Sequence, residues 1–241
     1  MLALNASSLL TAWEQGVSQH PLQRAVRLLA LAWPQRTSDE WARVSIGERD
    51  RQLLQLRDEL FGSKFEAVAT CPICSERLEL MFDKRDLLTQ GTQEITEWQQ
   101  LECAGFDVSY RLPTSADLLE VTNNPGQASE LLLERCVEAR ADGVAVSASA
   151  LPSGAVKLLG EKMAEADPQA EVQILLDCPA CAHQWTTVFD ILSYLWGEID
   201  DWAQRLLNDV HALASAYGWS ERDILSMSAT RRRLYLELVG A

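Results

Sequence analysis

Histidine is scarce in this 241-residue chain, with three in all, and basic side chains are outnumbered, 21 Lys and Arg against 35 Asp and Glu. The resulting formal charge of −14 repels a phosphate backbone, because non-specific nucleic-acid affinity comes from neutralising phosphates with Lys and Arg. The one dense basic run, Arg231, Arg232 and Arg233, points in three directions on a helix and reads as a solvated helix start. No apolar run reaches the roughly 18 residues that a membrane span needs; the longest lies around Leu28 to Trp33. Asn5, Ser7 and Ser8 interrupt the N-terminus, which lacks the basic and apolar regions of a secretory signal. Nucleophile elbows, phosphate loops, dinucleotide fingerprints and zincin motifs are missing, so an enzyme reading has no support. A cytoplasmic protein is expected, and in a reducing compartment its six cysteines are expected as metal ligands and buried thiols rather than as a disulfide framework.

What is present suits a globular body: 47% of residues are hydrophobic, and eight tryptophans supply large anchors for packing or for a partner surface. Residues 1 to 62 read as helices, with Leu9, Leu10 and Trp13 on one face and Leu22, Val26 and Leu29 recurring between Pro21 and Pro34. Ser45 and Glu48 have capping-box spacing, and Gly62 supplies a C-terminal stop. The period then changes to two over Phe65, Ala67 and Ala69, and again over Leu78, Leu80 and Phe82, which predicts two strands. Residues 91 to 104 read as a polar connection, and Val108, Tyr110 and Leu112 as a short strand. Helices follow over 116 to 121 behind a Ser115 cap and over 130 to 139. Residues 143 to 154 read as a small-residue linker, and 155 to 166 as a further helix. Val172, Ile174 and Leu176, then Trp185, Thr187 and Phe189, predict a second pair of strands. From Ile191 the chain reads as helical, with Leu192, Leu195, Trp196, Ile199, Trp202, Leu206 and Val210 on one face and caps at Ser220 and Ser228 before two last short helices, the second carrying Leu234, Leu238 and Val239.

The chemistry sits in two matching tetrapeptides, Cys71-Pro72-Ile73-Cys74 and Cys178-Pro179-Ala180-Cys181. Both follow a β-type run and both lead through alternating residues to Phe-Asp, at Phe82-Asp83 and Phe189-Asp190, every match at an offset of 107. Two cysteines two residues apart turn both sulfurs to one side, and two such turns make the thiolate tetrahedron that zinc prefers. A closed set of four sulfurs leaves no position for water or substrate, so the expected ion is structural. The 103 residues between Cys74 and Cys178 are more than a compact ribbon needs, and the other reading is two unrelated pairs of buried or oxidised cysteines. His183 is a candidate replacement for one thiolate; Cys103 and Cys136 lack partners at ligand spacing and read as core, while His20 and His211 are isolated.

The order of these features, from "ATCPICSERLEL" through "YRLPTSADLLE" and "LDCPACAHQW" to the C-terminal tract His211 to Val239, resembles the baseplate hub and hub-assembly proteins of contractile-tailed phages and related contractile injection systems, in a zinc-knuckle-bearing form. The resemblance spans about residues 45 to 241, is most specific in the C-terminal tract, and is weak over 1 to 44. It implies a non-catalytic structural or assembly-chaperone role, in the cytoplasm or within an assembled particle, through contacts with hub or tail proteins and without nucleic acid or membrane. It carries over Cys71, Cys74, Cys178 and Cys181 as ligands of a structural zinc ion. Tyr217, Trp219 and Tyr235 are the candidate partner surface, with ordinary helix packing as the other reading.

The expected fold is therefore α+β, mostly helical, with a central split zinc ribbon of two CPxC hairpins and helices at both ends. The expected segments are 1–62 (helical), 63–190 (ribbon core with a helical insertion at about 105–170) and 191–241 (helical). The alternative function is a zinc-ribbon module that binds nucleic acid or a transcription complex.

Overall fold

The computed structural model describes residues 4–89, 98–122 and 124–240. In chain order the elements are α1 (Ala6–Gly16), α2 (Pro21–Ala32), α3 (Ser38–Trp41), α4 (Ile46–Phe61), β1 (Lys64–Thr70), β2 (Arg77–Asp83), α5 (Lys84–Leu87), β3 (Gln99–Cys103), β4 (Phe106–Tyr110), α6 (Ser115–Val121), α7 (Ala128–Cys136), β5 (Val137–Ala141), β6 (Val144–Val146), α8 (Ser153–Ala166), β7 (Val172–Asp177), β8 (Gln184–Phe189), α9 (Ile191–Tyr217), α10 (Glu221–Ser226) and α11 (Ala229–Val239). The fold is α+β. Its contacts divide it into two units, Met1–Gln35 with Leu192–Ala241, and Arg36–Ile191.

In the first unit, side chains satisfy the orphan amides that open each short helix. Asn5 caps α1, His20 and Gln23 form a reciprocal box around Pro21 at the start of α2, and Ser220 and Ser228 cap α10 and α11 as expected. Leu10, Ala203 and Leu206 make a core against which Ala6, Trp13, Trp202 and Leu225 pack. Trp13 Nε1 donates to Asp200 Oδ1 at 2.7 Å, which ties α1 to α9. Gly16 lies so close to the Trp196 ring that a Cβ would come within 2.4 Å of it, and the Arg24 guanidinium sits 4.4 Å over that ring while donating to the Gly16 and Val17 carbonyls. Along α9 the expected apolar face is buried at Leu195, Ile199 and Leu206, joined by Ala203 and Leu213. The basic run departs from its reading: Arg232 is 7% exposed and reaches Asp209 at 3.3 Å, with only Arg231 and Arg233 facing water.

Among its described residues the second unit holds three antiparallel sheets: the hairpin β1-β2, the four-stranded meander β3-β4-β5-β6, and the hairpin β7-β8. One face of the meander buries Val108, Tyr110, Val137 and Ala139 with Cys136, Ala148, Leu151, Ala155 and Leu159, so α7 and α8 cover that side. The expected helical insertion is therefore a sheet with helices on one face. The sheet starts ahead of that insertion: residues 98–104 are not a connection but carry β3, while 91–97 lie outside the described residues. The expected helix over 130 to 139 stops at Cys136 and the chain becomes β5; the expected linker over 143 to 154 contains β6, a short 3-10 turn at Ala148–Ala150 and the buried Leu151. The reason is turn chemistry. Asp142-Gly143 and Ala104-Gly105 both take positive φ at the two central positions, 50° and 79°, 51° and 83°, the condition for type I′ hairpins, which force the flanking residues to pair.

Capping also moves by one residue at α6. Thr114, not Ser115, opens it in a box with Asp117, whereas Ser115 is fully buried and accepts from Arg49 Nη1 at 3.0 Å. Ser45 Oγ does cap α4 by accepting the Glu48 amide at 3.2 Å, while the Glu48 carboxylate accepts from Gln52. Asp117, 1% exposed, receives both Arg111 nitrogens at 2.6 and 2.8 Å and Arg135 Nε at 3.0 Å. Burial opposes its charge, but these arginines and Thr114 outweigh it and hold the carboxyl well below the ordinary carboxylate range. That network joins the end of β4 to α6 and α7.

Asp50 shows the opposite balance. Its burial pushes it up to about 6, with Arg49 pulling it down and Asp190 and Asp167 adding to the rise. The folded chain keeps this proton up to about pH 6 while the unfolded chain releases it near 3.8, so stability falls as pH rises across that window. Asp50→Asn is expected to remove this slope: in thermal melts the Tm difference, variant minus wild type, grows from about pH 4 to about pH 6 and then levels off. A difference that stays constant over the window would contradict a burial-driven shift.

Candidate metal centre

Each hairpin tip is built by the same hydrogen bonds. The Cys71 amide donates to the Glu76 carbonyl at 2.9 Å and the Ser75 amide to the Cys71 carbonyl at 3.0 Å; Cys178 to His183 and Ala182 to Cys178 repeat the pattern at 2.9 Å each. Ser75 and Ala182 both adopt positive φ, 62° and 58°, which turns the chain back sharply after the second cysteine. The strand registers agree as well, Phe65 facing Phe82 in the first hairpin and Val172 facing Phe189 in the second. The offset of 107 seen in the sequence thus holds for backbone turns, bonds and register.

The two tips meet. Cys71 Sγ lies 3.7 Å from Cys181 Sγ and Cys74 Sγ 3.4 Å from Cys178 Sγ, and all four sulfurs lie within 4.8 Å of one another. All four cysteines are free thiols, with sulfurs far beyond the roughly 2.05 Å of a disulfide bond. Cys71 and Cys178 are buried and Cys74 and Cys181 exposed, so the first cysteine of each tip faces inward. Among the described residues this is the one group of His, Cys, Asp and Glu close enough to share a metal ion.

The backbone favours ionised sulfur. Although desolvation opposes it, the amides of Cys74 and Ile73 and the neighbouring thiols bring Cys71 down to about 7. The Glu76 amide likewise favours a Cys74 thiolate, but the sulfurs of Cys178 and Cys181 outweigh it and hold Cys74 up to about 12. At Cys181 the His183 amide lowers the thiol, and burial with the surrounding sulfurs raises it on balance. Four thiols this close cannot all lose their protons unless a cation sits between them.

Three devices bring hairpins so far apart in the chain to one point. Under the tips, Phe65 stacks on Phe82 at 5.4 Å, and Phe189 meets both edge-on at 5.9 and 5.5 Å, joining the inner faces of the two hairpins. The Arg57 guanidinium lies 3.9 Å over the Phe65 ring and donates to the Gly62 and Lys64 carbonyls, which fixes the first hairpin to the end of α4. The 3-10 turn Pro168–Ala170 fixes the second. Asp167, just before it, accepts the Gly47 amide at 2.8 Å, and the buried Gln169 donates to the Leu87 carbonyl at 3.1 Å while accepting the Thr89 amide at 3.0 Å. Burial raises the Asp167 carboxyl, against the pull of the Gly47 amide.

The remaining candidates fall elsewhere. The His183 ring stacks on Trp185 at 6.0 Å and is outside the sulfur group. Cys136 is buried under the meander, its thiol pushed up to about 11 by that burial, and Cys103 packs against the same core. Tyr217, Trp219 and Tyr235 pack on one another, with ring centroids 4.4, 4.8 and 5.7 Å apart. Sequence reading missed Gly47, Asp167 and Gln169, which no motif marks because their roles depend on contacts across 120 positions for the first two and 80 and 82 for Gln169.

The fold and this cluster define a class: an α+β protein whose two hairpins close on one four-cysteine group compatible with a metal site. The chain belongs to the T4 bacteriophage base plate protein family, whose model matches residues 9–196. That match takes in both cysteine hairpins and most of the N-terminal stretch where the resemblance is weak, and it ends before the His211 to Val239 tract where the resemblance is strongest. No curated protein and no solved structure matches the chain.

Two measurements test the geometry. Cys178→Ala is expected to melt well below wild type and to lose the metal-dependent part of its stability, since apparent binding free energies of structural zinc run to about 10 kcal/mol or more. Equal melting of variant and wild type, with and without chelator, would show that the cluster does not hold the fold. Gly47→Ala puts a Cβ 1.9 Å from Asp167 Oδ1 and 2.9 Å from the Ala170 amide, so it is expected to cost about 2 kcal/mol and to weaken metal retention in a chelator competition, although it touches no cysteine.

Proposed function

We propose that this chain is a non-catalytic structural or assembly component of a contractile-tail baseplate hub, pinned by a four-cysteine zinc site and acting through protein contacts. Its family is the main support, and the sulfur cluster is the observation that carries the zinc assignment. Sulfur separations of 3.4 and 3.7 Å lie near the edge of about 3.8 Å of a tetrahedron with 2.3 Å zinc–sulfur bonds. Cys71, Cys74, Cys178 and Cys181 fill that coordination, so the ion braces the two hairpins and leaves no position for a reacting water. The chain works in the producing cell or within the particle, beside hub or tail proteins. An acidic charge of −14 weighs against the nucleic-acid alternative, and no helix among the described residues is long and apolar enough to cross a membrane.

Isolation of tail intermediates from cells making the particle is the test. The tagged chain is expected to co-purify with hub or tail-tube proteins, with one zinc per chain by elemental analysis. Presence in finished particles marks a permanent component; presence only in intermediates marks a chaperone. Failure to associate with any baseplate protein overturns the assignment, and a salt-dependent shift on DNA or RNA would favour the alternative.

A further inference from the structure

The inner faces of the two cysteine hairpins are used up by the phenylalanine cluster and their roots; their outer faces carry apolar side chains that the fold does not need. Val68 and Met81 are 55% and 74% exposed on the first hairpin, Leu175 and Val188 are 66% and 56% exposed on the second. Val68 and Leu175 stand 107 positions apart, as do Met81 and Val188. The registers are equivalent too: Val68 faces Glu79 and Met81 faces Glu66, while Leu175 faces Thr186 and Val188 faces Gln173. Each outer face is therefore a checkerboard, one diagonal apolar and the other polar, and diagonal neighbours on a sheet lie close enough to share one contact.

We propose that these two outer faces form a paired docking surface for a baseplate protein that offers the same apolar, Lys- or Arg-flanked segment twice, as a dimer or as two neighbouring subunits. The inference rests on the proposed function and adds the surface and the partner's chemistry. Charge selects the flanks: residues 64–83 hold four acidic and two basic side chains, with Glu66 and Glu79 on the first checkerboard, and residues 171–190 hold three acidic side chains and no Lys or Arg. A second copy of this chain is disfavoured as occupant, because like faces would set acidic groups against each other. Area selects the valency. Two side chains per hairpin are far below the roughly 800 Å² per partner of a specific interface, so one face alone holds a partner weakly. Two equivalent faces on one rigid frame turn the second contact into an intramolecular one and multiply the affinity.

The experiment places a photo-crosslinking amino acid at position 81 or 188 of the full-length chain in cells making the particle, with position 138, on the polar face of the meander, as control. Both test positions are expected to crosslink to the same baseplate polypeptide and the control not to. In parallel, Met81→Ser and Val188→Ser, at exposed sites that leave the fold and its melting unchanged, are each expected to lower recovery with that polypeptide about tenfold, and the double variant about a hundredfold or more. Crosslinks to two different polypeptides, to a second copy of this chain, or to nothing while the chain still co-purifies with the baseplate, overturn the docking surface and leave the proposed function standing. So does a double variant recovered at the wild-type level. Absence of the chain from every baseplate complex overturns both.

Discussion

The joining of the two hairpins turns on four sulfur atoms, from cysteine pairs with 103 residues between them, coming within 4.8 Å of one another. Closing a loop of that length costs the chain on the order of 4–5 kcal/mol of conformational entropy. A metal ion held by all four sulfurs would exceed that cost, since apparent binding free energies of structural zinc run to about 10 kcal/mol or more. Metal-independent contacts share the work: the three phenylalanines between the hairpins, Arg57 over Phe65, and the Asp167 and Gln169 bonds around the turn before β7. The sulfurs are thus gathered by side-chain packing at the hairpin roots, and an ion would lock the tips.

The duplication is closer in backbone than in side chains. Both tips share hydrogen bonds and a positive φ after the second cysteine, although Ser75 and Ala182 differ. What the two tips must keep is the direction in which amides and sulfurs point; what the outer faces keep is an apolar diagonal. Between the hairpins the chain inserts a meander with its own core, held by the Asp117 network rather than by the cysteines. Such a division suits a structural protein, in which one part stiffens the frame and other surfaces remain open to partners.

The three aromatic rings near the C-terminus satisfy one another, which makes them a hinge of packing between the end of α9 and α11 as much as a surface. The apolar residues left in water on α11 are Leu234 and Leu238, 52% and 76% exposed. Arg232 is drawn inward because Asp209 waits for it on the neighbouring helix, a pairing that a helix read alone cannot reveal.

The sequence by itself determined the local elements whose signals are local: the helices around Pro21, Ser45 and Gly62, the two strand pairs with alternating Phe65 to Phe82 and Val172 to Phe189, and the repeated CPxC turns. It also placed the four cysteines as one set, because identical spacing and flanks at an offset of 107 needed no knowledge of the path between them. Tertiary structure decided the rest. Asp142-Gly143 turns a hairpin where the small-residue stretch from Gly143 reads as a linker, and Val137 to Ala139, the end of the helical pattern, pair with β4 instead. Gly47 is small because Asp167 fills the space a methyl group would take, and Ser115 is buried because Arg49 reaches it. Propensity and spacing act over a few residues, whereas these assignments are set by which distant groups compete for the same hydrogen bond or the same volume.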